Sequence, residues 1–173
     1  MEYIQLGKTE LEVSRLGFGG AEIGQENATQ ATVNELLNSA IDAGLNLVDT
    51  AAAYMSSEEM IGNAIGNRRR EIVLISKCGE LDGFTRQDWS KGGILKTIQT
   101  SLRLLQTDYL DVEQLHSCSS EILNRGEVIE ALIIAKERGY IRYAGYSGDG
   151  IDAKTAIEMD FFDTLQTSIS IAD

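Results

Sequence analysis

The chain contains no proline among its 173 residues, where an average globular composition would supply about eight or nine. That absence removes a residue that stiffens loops, and it assigns no function. Histidine and tryptophan occur once each and cysteine twice. Two cysteines do not make a disulfide framework. Cys78, Cys118 and His116 together fall short of the four ligands a structural zinc wants, so no metal site is expected. No apolar run approaches the roughly 18 residues that a membrane helix needs, so no membrane partner is expected. The start, MEYIQLGKTELEV, lacks the charged-then-apolar pattern of a signal peptide, which makes the cytoplasm the expected location. Basic residues are scarce as well: 15 Lys and Arg stand against 27 Asp and Glu, a formal charge of −12. Such a surface repels nucleic acid and anionic lipid. The one basic cluster, Arg68 to Arg70, reads as a solvated turn between a helix and a strand.

What is present is an alternation. Short apolar runs occur at 14–19, 45–49, 72–77, 110–116, 143–147 and 164–169. Between them lie stripes at helical spacing. Val33, Leu36, Leu37, Ala40 and Ile41 form one; Ile94, Ile98, Leu102 and Leu105 another; Val128, Ala131, Leu132 and Ala135 a third. Weaker stripes run through Met60, Ile61, Ala64 and Ile65, and through Ala153, Ala156 and Ile157. Gly44 and Gly139 follow helices where a C-terminal cap belongs. Ahead of the alternation, EYIQLGKTELEVSRLG reads as a hairpin turning near Gly7.

Units of this size, repeated about six times, predict a parallel sheet covered by helices. An open dinucleotide-binding sheet would carry G-x-G-x-x-G after its first strand. Here GFGG at 17–20 is followed by Ala-Glu-Ile-Gly, which breaks that spacing. The polar residues favour a barrel instead. Asp49, Lys77, His116 and Ser147 each end an apolar run, and Gln166 lies in the last one. Parallel strands bring such ends to one face, where barrels build their sites. The fold class expected is therefore α/β, a TIM-type (β/α) barrel with an N-terminal hairpin, incomplete at about six of eight β/α units. A full barrel takes about 250 residues, so residues 1–173 are expected to form a single domain lacking strands seven and eight.

Each candidate has an ordinary structural explanation when taken alone; their coincidence on one face is what carries chemistry. Asp49 can pair with Lys77 and hold its ammonium charged where burial would neutralise it. A buried lysine near Tyr54 is expected to lower the phenol's pKa from its ordinary value near 10. His116 can donate a hydrogen bond to a carbonyl oxygen while Tyr54 protonates it. Such a set contains no obvious nucleophile and needs a cofactor to supply the electrons. Phe84 and Trp89 follow Cys78 and either line a pocket or cover the surface.

The ordered motifs LGKTELEVSRLGFGG, IDAGLNLVDTAAAY, EEMIGNAIG, EIVLISKCG, DWS, SLRLLQTDYLDVEQLH and RGEVIEALIIAKERGYIRYAGYS resemble those of the aldo-keto reductases, along essentially the whole chain. The resemblance implies that Asp49, Tyr54, Lys77 and His116 occupy the four catalytic positions. It implies that Ser147 and Gln166, beside Asp49, belong to the cofactor site and hold the nicotinamide carboxamide. NADP is the expected cofactor and an aldehyde or ketone the expected substrate, with Tyr54 as proton donor in hydride reduction. The chain also departs from the pattern. Gly148 stands where asparagine usually follows the serine, Met55 where glycine follows the tyrosine, and Ala52 and Cys118 where prolines are common. The segment after Gln166 lacks the usual Tyr-Asn. An alternative expectation is an impaired, split or shortened homologue acting as a binding or assembly subunit. In that case a homo-oligomer or a second chain would complete the barrel.

Overall fold

The computed structural model describes residues 1–25 and 28–169. The hairpin comes first, β1 (Tyr3–Gln5) pairing antiparallel with β2 (Glu12–Ser14). Its turn contains Gly7 at φ +55°, and a Cβ there would lie 2.4 Å from the Asp163 carbonyl oxygen. Only glycine fits that approach. Next come β3 (Gly17–Gly19), α1 (Ala21–Gln25), α2 (Gln30–Asp42), β4 (Leu47–Asp49) and α3 (Ser57–Ile65). After a 3₁₀ turn over Gly66–Glu71 follow β5 (Val73–Cys78) and a small hairpin of β6 (Glu80–Leu81) and β7 (Arg86–Gln87). The chain continues through α4 (Lys91–Leu104), β8 (Leu110–His116), α5 (Ser120–Arg125), α6 (Glu127–Glu137), β9 (Ile141–Ser147), α7 (Gly150–Glu158) and β10 (Thr164–Gln166).

Six of these strands form one parallel sheet in the order β10-β9-β8-β5-β4-β3. The sheet curls into an incomplete barrel with helices on its outer face. Among the described residues β3 pairs only with β4, and β10 only with β9. Hydroxyl side chains start the longer helices: Thr29 accepts from the Thr32 amide at α2, and Ser90 from the Gly93 amide at α4. Each satisfies an amide that the first turn leaves open.

The core divides by sheet face. Between sheet and helices, Val33, Leu37, Ile61, Leu74, Ile94, Ile98, Leu115 and Leu132 are fully buried. Inside the curl, Val73, Ile75 and Val112 pack with Leu11 and Val13 of the hairpin. The hairpin thus covers the N-terminal ends of the strands, and the Lys8 amide donates to the Asp163 carbonyl at 2.8 Å to tie it to the approach of β10. The C-terminal strand ends stay open.

Several sequence boundaries shift. The run expected at 14–19 is divided between β2 and β3, and that at 164–169 shortens to Thr164–Gln166. Leu36 and Ile157, assigned to helix stripes, are exposed. The arginine cluster is not a solvated turn. Arg69 is 11% exposed and bonds the 3% exposed carboxylate of Asp111, which also accepts from Arg142 and from the Leu74 amide. Arg68 bonds Asp42 and Glu71. Fixing the ends of β5 and β8 took a charge network here, because two arginines reach carboxylates distant in the chain.

Candidate active site

The loop from Thr50 to Ser56 carries Tyr54 over the end of β4, and its small residues have a steric reason. Ala51 and Ala53 are buried, the Ala52 amide donates to the Lys77 carbonyl, and the Gly83 amide donates to the Ala53 carbonyl. α1 presses on the same loop: a Cβ at Gly24 would lie 1.9 Å from the Tyr54 carbonyl oxygen. The Thr50 and Ser57 hydroxyls meet at 2.9 Å and join the two ends of this loop.

Asp49, Lys77 and His116 are the last or near-last residues of β4, β5 and β8, which the register sets side by side. Lys77 is 1% exposed and places Nζ 2.7 Å from both Asp49 carboxylate oxygens and 2.9 Å from the Thr50 carbonyl. Burial pulls its ammonium down, and Asp49, with Glu113 behind it, pulls it back up. Nζ lies 5.1 Å from the Tyr54 ring centroid. The His116 ring meets Tyr54 edge-on at 5.7 Å, and among the described residues its buried Nδ1 has no hydrogen-bond partner. Burial and then the Lys77 charge lower the imidazole to about 4, so it is neutral at pH 7.

The structure corrects the expected direction for Tyr54. Its pKa is pushed up to about 12, first by burial and then by the Asp49 and Glu22 carboxylates. The lysine was expected to draw the phenol down. Its charge is instead matched at contact distance by Asp49, so burial and the carboxylates decide the sign.

Ser147 and Gln166 reach the same rim. They line a cavity of about 280 Å³ together with His116, Gly148, Asp149 and Thr167. The Gln166 side-chain amide approaches Asp49 at 3.5 Å, and the Gly148 amide donates to the Gln166 carbonyl at 3.0 Å. All six residues named from sequence therefore gather at one end of the sheet. Of the two aromatics considered, Phe84 joins the site, its ring 5.1 Å from His116 and 6.1 Å from Tyr54. It sits at φ +66°, after Asp82 and Gly83 at +49° and +65°. Trp89 instead packs on Gly79 and bonds Gln87. Among the described residues no group of three or more His, Cys, Asp or Glu could hold a metal ion.

Glu113 carries no functional signal in the sequence, because it lies inside a strand that reads as apolar. It is wholly buried between the sheet and the helices, and among the described residues its carboxyl oxygens make no regular hydrogen bond, although the Cys78 thiol lies close enough to interact. Burial, reinforced by the nearby Glu58 charge and offset by Cys78 and Lys77, pushes its carboxyl up to about 8. Because the folded value exceeds the unfolded 4.5, the native state holds this proton longer than the unfolded chain. Stability from this group is complete below about 4.5 and is lost as pH rises through about 8. His116 acts oppositely, but only between its values of about 4 and 6.5. Across pH 6.5–8, Glu113→Gln is therefore expected to flatten the fall in unfolding free energy by about 2 kcal/mol. Urea denaturation at several pH values measures this, and a parent slope retained by the variant would refute it.

A curled parallel sheet with polar side chains gathered at its C-terminal ends defines a β/α-barrel-type protein. Comparison with known proteins then names the family: the profile of the Aldo/keto reductase family matches residues 15–171. The chain belongs to that family. It is 39% identical over 149 residues to the uncharacterized oxidoreductase YqkF of Bacillus subtilis, covering 83% of this chain and 47% of that protein. Its fold superposes with a TM-score of 0.84 on an aldo-keto reductase of Bacillus halodurans in its holo form, at 31% identity, covering 99% of this chain and 58% of the other. An aldo-keto reductase of Klebsiella pneumoniae in complex with NADPH gives a TM-score of 0.74 at 29% identity, covering 91% and 53%. The chain spans about half the length of the curated relatives it matches. Among its described residues, no helix is long and apolar enough to cross a membrane.

Proposed function

We propose that this chain carries the proton-transfer half of an NADP-dependent carbonyl reductase, interconverting an aldehyde or ketone with its alcohol. The observation that carries the reading is the packing of Tyr54 against neutral His116, with the Lys77–Asp49 pair also beside its ring. His116 would orient the carbonyl oxygen by hydrogen bonding, and Tyr54 would protonate it as negative charge builds there. A phenol held near pKa 12 is fully protonated at pH 7 and remains a stronger acid than the alcohol it would form.

The cavity suits a nicotinamide carboxamide in its donor set. Ser147 offers a hydroxyl and Gln166 a side-chain amide at one rim, and these would hold the carboxamide, with Asp49 behind Gln166. The bound cofactor would supply the hydride. Phe84, about half exposed beside His116, would give the substrate an apolar wall.

The test is twofold: NADPH fluorescence titrated with the purified chain, and NADPH oxidation followed with a panel of aldehydes and ketones. Saturable binding and carbonyl-dependent oxidation are expected, and absence of both would overturn the reading. One observation favours a second reading. Edges β3 and β10 are each paired on a single side among the described residues. Such edges invite further strands, which the remainder of a longer chain, a second copy or another polypeptide would supply to complete the barrel. A chain that binds no NADPH alone, but does so in an isolated oligomer or complex, would support that version.

A further inference from the structure

We propose that Asp149 makes the cofactor cavity discriminate by charge, favouring the oxidised, cationic nicotinamide over the neutral reduced ring. The inference rests on the cofactor reading above and adds a preference to it. Asp149 stands at the N-cap position of α7, yet its side chain does not cap that helix. It turns the other way. One oxygen accepts from the Thr167 hydroxyl and the Ser168 amide, both at 2.7 Å, and the other from the Ser168 hydroxyl at 3.2 Å. These bonds tie the turn after β9 to the segment after β10, which directly follow Ser147 and Gln166 at the ends of those strands. They also hold the Asp149 carboxyl below its ordinary range, so it is ionised at neutral pH.

The consequence is a cavity with one fixed charge. Its described lining contains no lysine or arginine, and Asp149 is its only ionised side chain. Asp49 lies beyond Gln166, but its charge is matched by Lys77 at 2.7 Å. A bound reduced nicotinamide would supply a hydride, hydrogen with its electron pair, to the carbonyl carbon. Tyr54 would give the carbonyl oxygen its proton, and the oxidised ring would carry one positive charge. A fixed carboxylate attracts that product ring and not its neutral precursor. Asp149 is exposed, so water and salt screen the effect and limit it to a modest factor.

Equilibrium binding tests this without turnover. NADPH affinity is read by fluorescence and NADP⁺ affinity by competition, for the parent chain, Asp149→Asn and Asp149→Glu. Asp149→Asn is expected to weaken NADP⁺ relative to NADPH by roughly 3- to 10-fold. Asp149→Glu should keep the parent ratio, and raised salt should shrink the parent preference toward that of Asp149→Asn. Thr167→Val, which loosens the clamp and keeps the charge, should move both affinities together. An unchanged ratio in Asp149→Asn, or equal weakening of both forms, would overturn the proposal and leave the reductase reading standing. Failure of the parent chain to bind either form would overturn both.

Discussion

Tyr54→Phe is expected to lower kcat for carbonyl reduction by about 10²- to 10⁴-fold, the usual contribution of a positioned general acid. The fold should hardly notice. Tyr54 is fixed through its backbone, whose amide donates to the Ala51 carbonyl and whose carbonyl accepts from the Ser57 amide. Its ring contacts with Phe84 and His116 survive in phenylalanine. NADPH affinity and unfolding free energy should therefore stay close to the parent values while turnover collapses, and turnover within a factor of a few would sink the mechanism. The raised phenol pKa adds a signature in pH. Alcohol oxidation needs the tyrosinate, which is scarce far below a pKa of about 12. The oxidation rate should climb about tenfold per pH unit through neutrality, whereas reduction, which uses the protonated phenol, should not.

The second large effect is on stability. Asp49→Ala leaves Lys77, 1% exposed, with only the Thr50 carbonyl among its three close oxygens. Removing one partner of a buried ion pair typically costs about 3–5 kcal/mol, because the remaining charge is desolvated and unmatched. Lys77 has an escape, since burial already lowers its pKa and losing Asp49 lowers it further. A depressed lysine releases its proton in the folded state before the unfolded chain does. The native variant then binds fewer protons, so its stability should rise with pH up to the unfolded value near 10.5. The penalty should shrink accordingly in alkaline buffer. Adding Lys77→Met to Asp49→Ala should recover most of the loss, as the orphaned ammonium is gone. Urea denaturation of the four-member cycle measures both claims. A single-variant loss under about 1 kcal/mol at neutral pH would mean that the pair is solvated in a way its geometry does not suggest.

The site was legible wherever a polar residue closed an apolar run. Asp49, Lys77, His116 and Ser147 announced themselves that way, because parallel strands of like register must end together. Gln166 and Tyr54 followed from their distance to such ends. Other features left no comparable mark. Glu113 looks like a defect in a strand until the helices above it are in place, and only then is its carboxyl known to be sealed from water. Arg69 sits in what reads as a solvated basic run, and its partner Asp111 is 42 residues away. Asp149 occupies a helix-cap position in sequence, and its turn toward Thr167 and Ser168 depends on where β10 delivers those residues. Phe84 and Trp89 were equivalent in composition and loop; the three left-handed residues of the small hairpin separate them by aiming Phe84 at His116.

By itself the sequence determined the order of strands and helices, the end of the sheet that carries the polar side chains, and the family. These follow from periodicity, from the fixed direction of parallel strands and from residue identity, all of which are local. The tertiary structure decided the electrostatics. Whether Lys77 lowers or fails to lower the Tyr54 pKa depends on its two 2.7 Å contacts with Asp49 and on how deeply the phenol is buried. Charge interactions and desolvation depend on distance and on exclusion of water. Neither quantity exists until segments tens of residues apart have packed.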